Sequence, residues 1–231
     1  MRIRFHWLLG SLLLASPVQA SQFLFSTPSG ATNGTTPVAA TALFTLSNGQ
    51  LQITVQNTQA DPLSESAALA EVTFQVSKVL TSPSMTSSAK FATVNSNGSY
   101  STSGPSSTGW SLTENGTTMT ICDACTSHPV HTMIGPPKTS TNRYTDANNT
   151  IDGSAANNPF LWESAAYTIS SGALTVDVKI TNVQFYFGAV AGGGDVAGIG
   201  GELVPEPSTM PLVAGGALLL ALAVYRRKSF R

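Results

Sequence analysis

The stretch ALFTLSNGQLQITVQN, residues 42–57, decides the fold class. Apolar and polar residues alternate on both sides of Asn48-Gly49, a dipeptide that favours the backbone conformation of a two-residue hairpin turn. Alternation places every second side chain on the same face of a strand. The stretch therefore predicts two antiparallel strands with one buried face.

Three further segments carry related patterns. WSLTENGTTMTIC, residues 110–122, has the same turn dipeptide at Asn115-Gly116. EVTFQVSKVL, residues 71–80, and ALTVDVKITNVQFYFG, residues 173–188, place apolar residues near a period of two. The predicted core residues of these last two segments are Val72, Phe74, Val76 and Val79, and Leu174, Val176, Val178, Ile180 and Val183.

Many short strands separated by Gly, Asn and Pro predict an all-β domain over residues 21–190, an antiparallel β-sandwich or jelly-roll. Only residues 63–70 favour a turn or two of helix within it. Residues 127–165 lack periodicity and predict a long ordered loop. The glycine-rich residues 191–203 predict a flexible spacer.

The N-terminus has the features of a secretory signal peptide over residues 1–20. Arg2 and Arg4 precede a short apolar run that Pro17 ends, and small residues follow up to Ala20. This pattern favours cleavage by signal peptidase between Ala20 and Ser21, and therefore export. The alternative is a buried N-terminal helix, which the arginines and the proline disfavour.

The C-terminus ends in an uncharged apolar stretch, residues 211–225, followed by a basic cluster. A helix over this stretch would be about 22 Å long, short of a hydrocarbon core of about 30 Å. The positive charges would keep the end in the cytoplasm. We therefore expect a transmembrane helix that is a weak, transient anchor in the inner membrane.

The residues before this helix are Val204, Pro205, Glu206 and Pro207. Together with the helix and the basic end, they resemble the PEP-CTERM sorting signal, residues 204–231, of Gram-negative bacteria. The resemblance implies processing by an exosortase, a membrane cysteine protease-transpeptidase, and a link to extracellular polysaccharide and biofilm. The precursor would be anchored in the inner membrane, and the mature protein would reside in the cell envelope or extracellular matrix. An ordinary single-span anchor is the alternative.

The region between the signals also resembles exported PEP-CTERM proteins with an uncharacterised β-rich domain. This likeness covers most of residues 40–190 and carries no assigned activity. The motifs that carry it are a hairpin near Asn57, an FQV-type strand, Ile134-Gly135-Pro136-Pro137, Asn158-Pro159-Phe160-Leu161 and Phe185-Tyr186-Phe187-Gly188.

The charge of the exported part limits its partners. Residues 21–205 contain five Lys and Arg and eleven Asp and Glu, a net charge of about −6. Phosphate recognition needs clustered basic residues, so nucleic acid is excluded as a partner.

Cys122, Cys125, His128 and His131 recur every third residue. All four are ligand types for zinc or copper, but ten consecutive residues wrap one ion only as a compact loop. In an oxidising compartment a Cys122–Cys125 disulfide is the favoured interpretation, so no metal or other cofactor is predicted. Thioredoxin-like chemistry lacks its βαβ context, and haem attachment lacks a His after Cys125.

Catalytic patterns are weak in this sequence. The carboxylates are scattered singly, and a G-x-S-x-G motif is missing. An acidic stretch over residues 146–153 resembles a calcium loop without the EF-hand spacing and predicts a surface turn. We therefore expect a non-catalytic protein, with a metal-dependent or hydrolytic enzyme as the remote alternative.

Aromatic residues leave one further alternative open, a carbohydrate-binding module. Tryptophan and tyrosine rings can stack on sugars, but in a β-sandwich of this size they more often fill the core. Trp110, Trp162 and the loop over 127–165 would form the binding surface. The candidate rings are Tyr100, Trp110, Tyr144, Trp162 and Tyr167.

Overall fold

The computed structural model describes residues 20–123, 125, 131–145, 150–151, 158–188 and 198–204 of the 231-residue chain. These residues form strands and a single 3₁₀ helix, Glu65–Ala67. The strands are β1 Ser21–Ser26, β2 Thr32–Asn33, β3 Thr36–Pro37, β4 Ala40–Ser47, β5 Gln50–Asn57, β6 Leu69–Val76, β7 Ser84–Val94, β8 Tyr100–Thr102, β9 Ser111–Asn115, β10 Thr118–Cys122, β11 Met133–Ile134, β12 Phe160–Ser170, β13 Ile180–Phe187, β14 Ile199–Gly200 and β15 Glu202–Val204.

Both predicted hairpins are confirmed. Strands β4 and β5 pair from Ala40↔Asn57 to Ser47↔Gln50, and Gly49 in their turn has a φ of 81°. Their inward residues are buried in strict alternation, as the sequence pattern predicts. Strands β9 and β10 pair up to Asn115↔Thr118, which places the turn at Gly116-Thr117, one residue later than expected.

The all-β class is confirmed, but the sheet is mixed. Thirteen strands form one sheet in the order β14-β13-β6-β11-β12-β5-β4-β1-β15, with β7 to β10 as branches. Strand β11 runs parallel to β12, so the expectation of a purely antiparallel domain is wrong. Gly201 alone separates β14 from β15, so residues 198–204 join the two ends of the sheet order.

Gly201 makes this link between the two ends of the sheet order possible. Its N–H donates to the carbonyl of Val183 at 2.7 Å. A Cβ at this position would lie 3.0 Å from the Phe185 ring and 3.4 Å from Phe25 Cβ. Only glycine fits here without moving these neighbours. The chain can thus change within a few residues from pairing with β13, through β14, to pairing with β1, through β15.

The expected flexible spacer over 191–203 is therefore wrong for residues 198–203, which belong to the folded domain. Residues 191–197 lie outside the described part of the chain, as do residues 1–19 of the expected signal peptide and the expected helix over 211–225. Among the residues that the structure describes, none forms a helix with the length and apolar character needed to span a bilayer.

Three smaller expectations also need correction. Strand β6 ends at Val76, and Val79 is 61% exposed because the chain has already turned toward Lys179. Residues 173–179 form turns rather than a strand, although Leu174 and Val178 are buried. The expected loop over 127–165 ends earlier, since β12 begins at Phe160.

The strands run between two ends of the domain. The end with Ser21, the Asn48-Gly49 turn and residues 77–83 and 171–179 is called the exit end. Two bonds tie it together: Ser21 Oγ donates to the Val176 carbonyl and Gly49 N to the Leu174 carbonyl, both at 2.8 Å. The opposite end, called the far end, holds the 3₁₀ helix and Cys122.

Candidate functional site

The two expected processing junctions both lie on the side of the exit end. Ala20 is exposed, and Ser21 starts β1 directly after it. Strand β15 runs antiparallel to β1, with Ser26↔Glu202 and Leu24↔Val204, so it heads toward the level of Ser21. Pro205, Glu206 and Pro207 lie outside the described residues.

The sequence explains why strand β15 ends at Val204. Proline has no backbone N–H, so Pro205-Glu206-Pro207 offers one donor in three residues and cannot extend a ladder. The residues that resemble the sorting motif begin at Val204, the last residue of β15, so no spacer separates them from the folded domain.

The cysteines lie at the far end, joined in a Cys122–Cys125 disulfide with their Cα atoms 5.5 Å apart. The Glu71 carboxylate lies within 4.8 Å of both sulfurs, because Glu71 pairs with Cys122 across β6 and β10. Burial raises the pKa of Glu71. Oxidised sulfurs are not thiolate ligands, so neither sulfur is available to bind a metal ion while the disulfide is formed.

His131 has a structural environment rather than that of a ligand. It lies outside the group of Glu71, Cys122 and Cys125, and His128 is not among the described residues. Its backbone N–H donates to Asp123 Oδ1 at 2.8 Å. Its ring meets the Phe91 ring edge-on at 5.0 Å. Burial lowers the pKa of the imidazole, against the opposing effect of Asp123.

A bulge between β12 and β7 creates the most distinctive surface feature. Leu161 pairs with Phe91 and Ala165 with Ala89, so residues 162–164 together face Lys90 alone. Glu163 has a φ of 62°, a left-handed conformation that costs a residue other than glycine about 1–3 kcal/mol. Such bulges redirect side chains and are frequent beside functional sites.

The bulge opens a cleft of about 320 Å³, called the bulge cleft, between Trp162, Glu163, Ser164, Lys90 and Ser88. The Lys90 ammonium lies 5.7 Å from the centre of the Trp162 ring. Burial raises the pKa of Glu163, while the positive charge of Lys90 acts in the opposite direction. The cleft therefore combines an aromatic ring, one group of each charge and hydroxyls.

The other candidate aromatics lie mostly in the core. Trp110 is 4% exposed, stacks on Tyr167 at 5.7 Å, and donates its Nε1 hydrogen to the His131 carbonyl at 2.7 Å. Tyr144 is buried and donates to the Gly135 carbonyl. The expectation that Trp110 forms part of a sugar-binding surface is therefore wrong. Trp162, half-buried beside Tyr100 at 5.8 Å, still meets that expectation.

Sequence reasoning missed the bulge cleft as a site. Trp162 is the one residue of the cleft that sequence patterns could identify as a candidate for ligand binding, because aromatic residues are recognisable from sequence. Lys90 and Glu163 are 73 positions apart, and only the irregular pairing of β7 and β12 brings them together.

Comparison with known families identifies one region of the chain. The model of the PEP-CTERM protein-sorting motif matches residues 203–228. No curated protein and no solved structure matches the chain. The chain thus carries a PEP-CTERM sorting motif, which implies an exported protein that is membrane-anchored before an exosortase processes it.

Proposed function

We propose that this protein is a non-catalytic component of the cell surface or extracellular matrix, with a structural or adhesive role linked to exopolysaccharide. The sorting-motif match at residues 203–228 carries the proposal, because it directs the domain outside the cell. The disulfide and a surface rich in Ser and Thr suit an exported β-domain. In this role the β domain is the part of the chain that acts outside the cell.

Processing gives the first testable prediction. Intact mass analysis of the protein from the producing cell should find a chain that begins at Ser21 and lacks the basic end with Arg231. The reason is that signal peptidase and exosortase each remove one hydrophobic segment. Replacing Pro205, Glu206 and Pro207 together with alanine should leave the C-terminal segment attached. A mature form that retains Arg231 in the unaltered chain would contradict the proposal.

A second candidate function, polysaccharide binding, is favoured by the bulge cleft. Its volume lies in the range of small-ligand sites, and its ring, charges and hydroxyls suit a polyhydroxylated ligand. A sugar ring could pack against Trp162 while Glu163, Lys90 and Ser164 hydrogen-bond its hydroxyls. This function would place the adhesive contact on β7 and β12.

Trp162→Ala tests this candidate against exopolysaccharide isolated from the producing cells, by affinity electrophoresis. We expect at least about a tenfold loss of affinity, since an aromatic anchor dominates a site of this kind. Trp162→Phe should retain most of the binding because a ring remains. Leu63→Ala, at an exposed apolar residue on the far end and outside the cleft, is the control and should change nothing. Unaltered binding by Trp162→Ala would exclude the bulge cleft.

A further inference from the structure

The number of residues between the folded domain and the apolar segment limits the distance between them. Six residues, 205–210, separate Val204 from the apolar stretch that starts at Pro211. Fully extended, this connection spans about 23 Å. Val204 lies opposite Leu24, three residues before the level of Ser21, so the exit end lies about 10 Å beyond Val204 along the strand direction. Only about 13 Å remains between the exit end and the hydrocarbon.

This remaining distance is comparable to the polar layer of the bilayer. That layer is about 5–8 Å thick on each side of the hydrocarbon core. A domain held by this connection keeps its exit end within about 8 Å of the headgroups, because β15 is paired with β1 and adds no length to the connection. The short connection therefore favours an arrangement in which the exit end is the part of the domain nearest the bilayer.

The exit end carries side chains suited to this position. Val79 is 61% exposed, and its neighbours Lys78 and Lys179 are exposed as well. Lys78 pairs with Asp177 at 3.0 Å, whereas no ion pair involves Lys179 among the residues that the structure describes. Lysine stems can bury their methylenes in the interface while the ammonium groups contact lipid phosphates.

We propose that, in the membrane-anchored precursor, the exit end rests on the outer surface of the membrane, with Val79 in the headgroup layer and Lys179 on anionic lipid headgroups. The orientation places the bulge cleft on the side of the domain and the disulfide at the end that points away from the bilayer. It also leaves residues 205–210 as the sole stretch that a processing enzyme can reach between domain and membrane. The proposal depends on the anchoring that the sorting motif implies.

Lipid-quenching measurements on the full-length chain in vesicles of phosphatidylglycerol and phosphatidylcholine test the orientation. The only two cysteines form the disulfide, so Val79→Cys introduces a single thiol for an environment-sensitive fluorophore. Leu63→Cys, 52% exposed on the far end, is the matched control about 26 Å away along the strands. Headgroup spin-labelled lipid should quench the label at position 79 severalfold more strongly than the label at position 63.

Several outcomes would overturn the proposal. Equal quenching at both positions, or stronger quenching at position 63, would show that the exit end does not face the bilayer. If Lys179→Glu leaves the quenching of the label at position 79 in anionic vesicles undiminished, the proposed contact between Lys179 and lipid phosphates is wrong. If the label at position 79 is shielded from solvent only in membranes of the producing cell, its contact is with a protein partner instead of lipid. A flotation assay separates these results from a failure to insert, which would contradict the anchoring itself.

Discussion

Trp110→Ala is expected to lower the free energy of unfolding by about 3–5 kcal/mol, a large share of the 5–15 kcal/mol typical of a domain. The Trp110 side chain is buried in the main core against Tyr167. Its removal leaves a cavity and takes away the donor that satisfies the His131 carbonyl. Urea denaturation of the mature protein, followed by circular dichroism, would measure the loss.

The matched control is the same substitution at Trp162. This tryptophan is half-buried at the rim of the bulge cleft and packs against Tyr100, so its truncation should cost less than that of Trp110, about 1–2 kcal/mol, while it weakens any ligand binding there at least about tenfold. Equal losses of stability at the two positions would contradict the deeper burial of Trp110.

Gly98→Ala should be strongly destabilising, with an expected loss of about 3 kcal/mol or more. Gly98 has a φ of 73°, and an added Cβ would overlap the backbone carbonyl oxygen of Tyr144. The Tyr144 N–H also donates to the Gly98 carbonyl at 3.0 Å, so the two backbones cannot separate without losing this bond. Thermal unfolding of the purified variant would report the change.

Gly116→Ala isolates the steric part of this effect. Gly116 has a comparable φ of 63° in the β9–β10 turn, but an added Cβ there would meet no atom within 4 Å. Backbone strain alone should cost about 1 kcal/mol. Losses of the same size at positions 98 and 116 would show that Tyr144 moves aside freely, against the close packing described above.

The hairpins could be predicted because their physics is local. Alternation around Asn48-Gly49 fixes which side chains are buried, and the turn fixes the register within two residues. The same reasoning failed at Val79, one of the last apolar residues before Ser84, which it assigned to the core. The pattern of a strand continues there, whereas the chain leaves β6 at Val76 to meet Lys179.

The candidate site was less accessible to sequence reasoning. The bulge sets three residues of β12 opposite one residue of β7, so it depends on the pairing of the two strands together. The sequence around Glu163 has no turn signal that would announce its left-handed backbone. The parallel pairing of the short β11 with β12 is a similar case, since two residues carry no periodicity.

The sequence by itself determined the all-β class, the two hairpins and the sorting motif at the C-terminus, because each depends on residues that are adjacent in the chain. Only the tertiary structure decided that Trp110 is fully buried and Trp162 half-buried, that Lys90 and Glu163 share a cleft, and that residues 198–204 pair with strands at both ends of the sheet order. These features require contacts between strands far apart in sequence, and burial is a property of the assembled sheet rather than of any single segment.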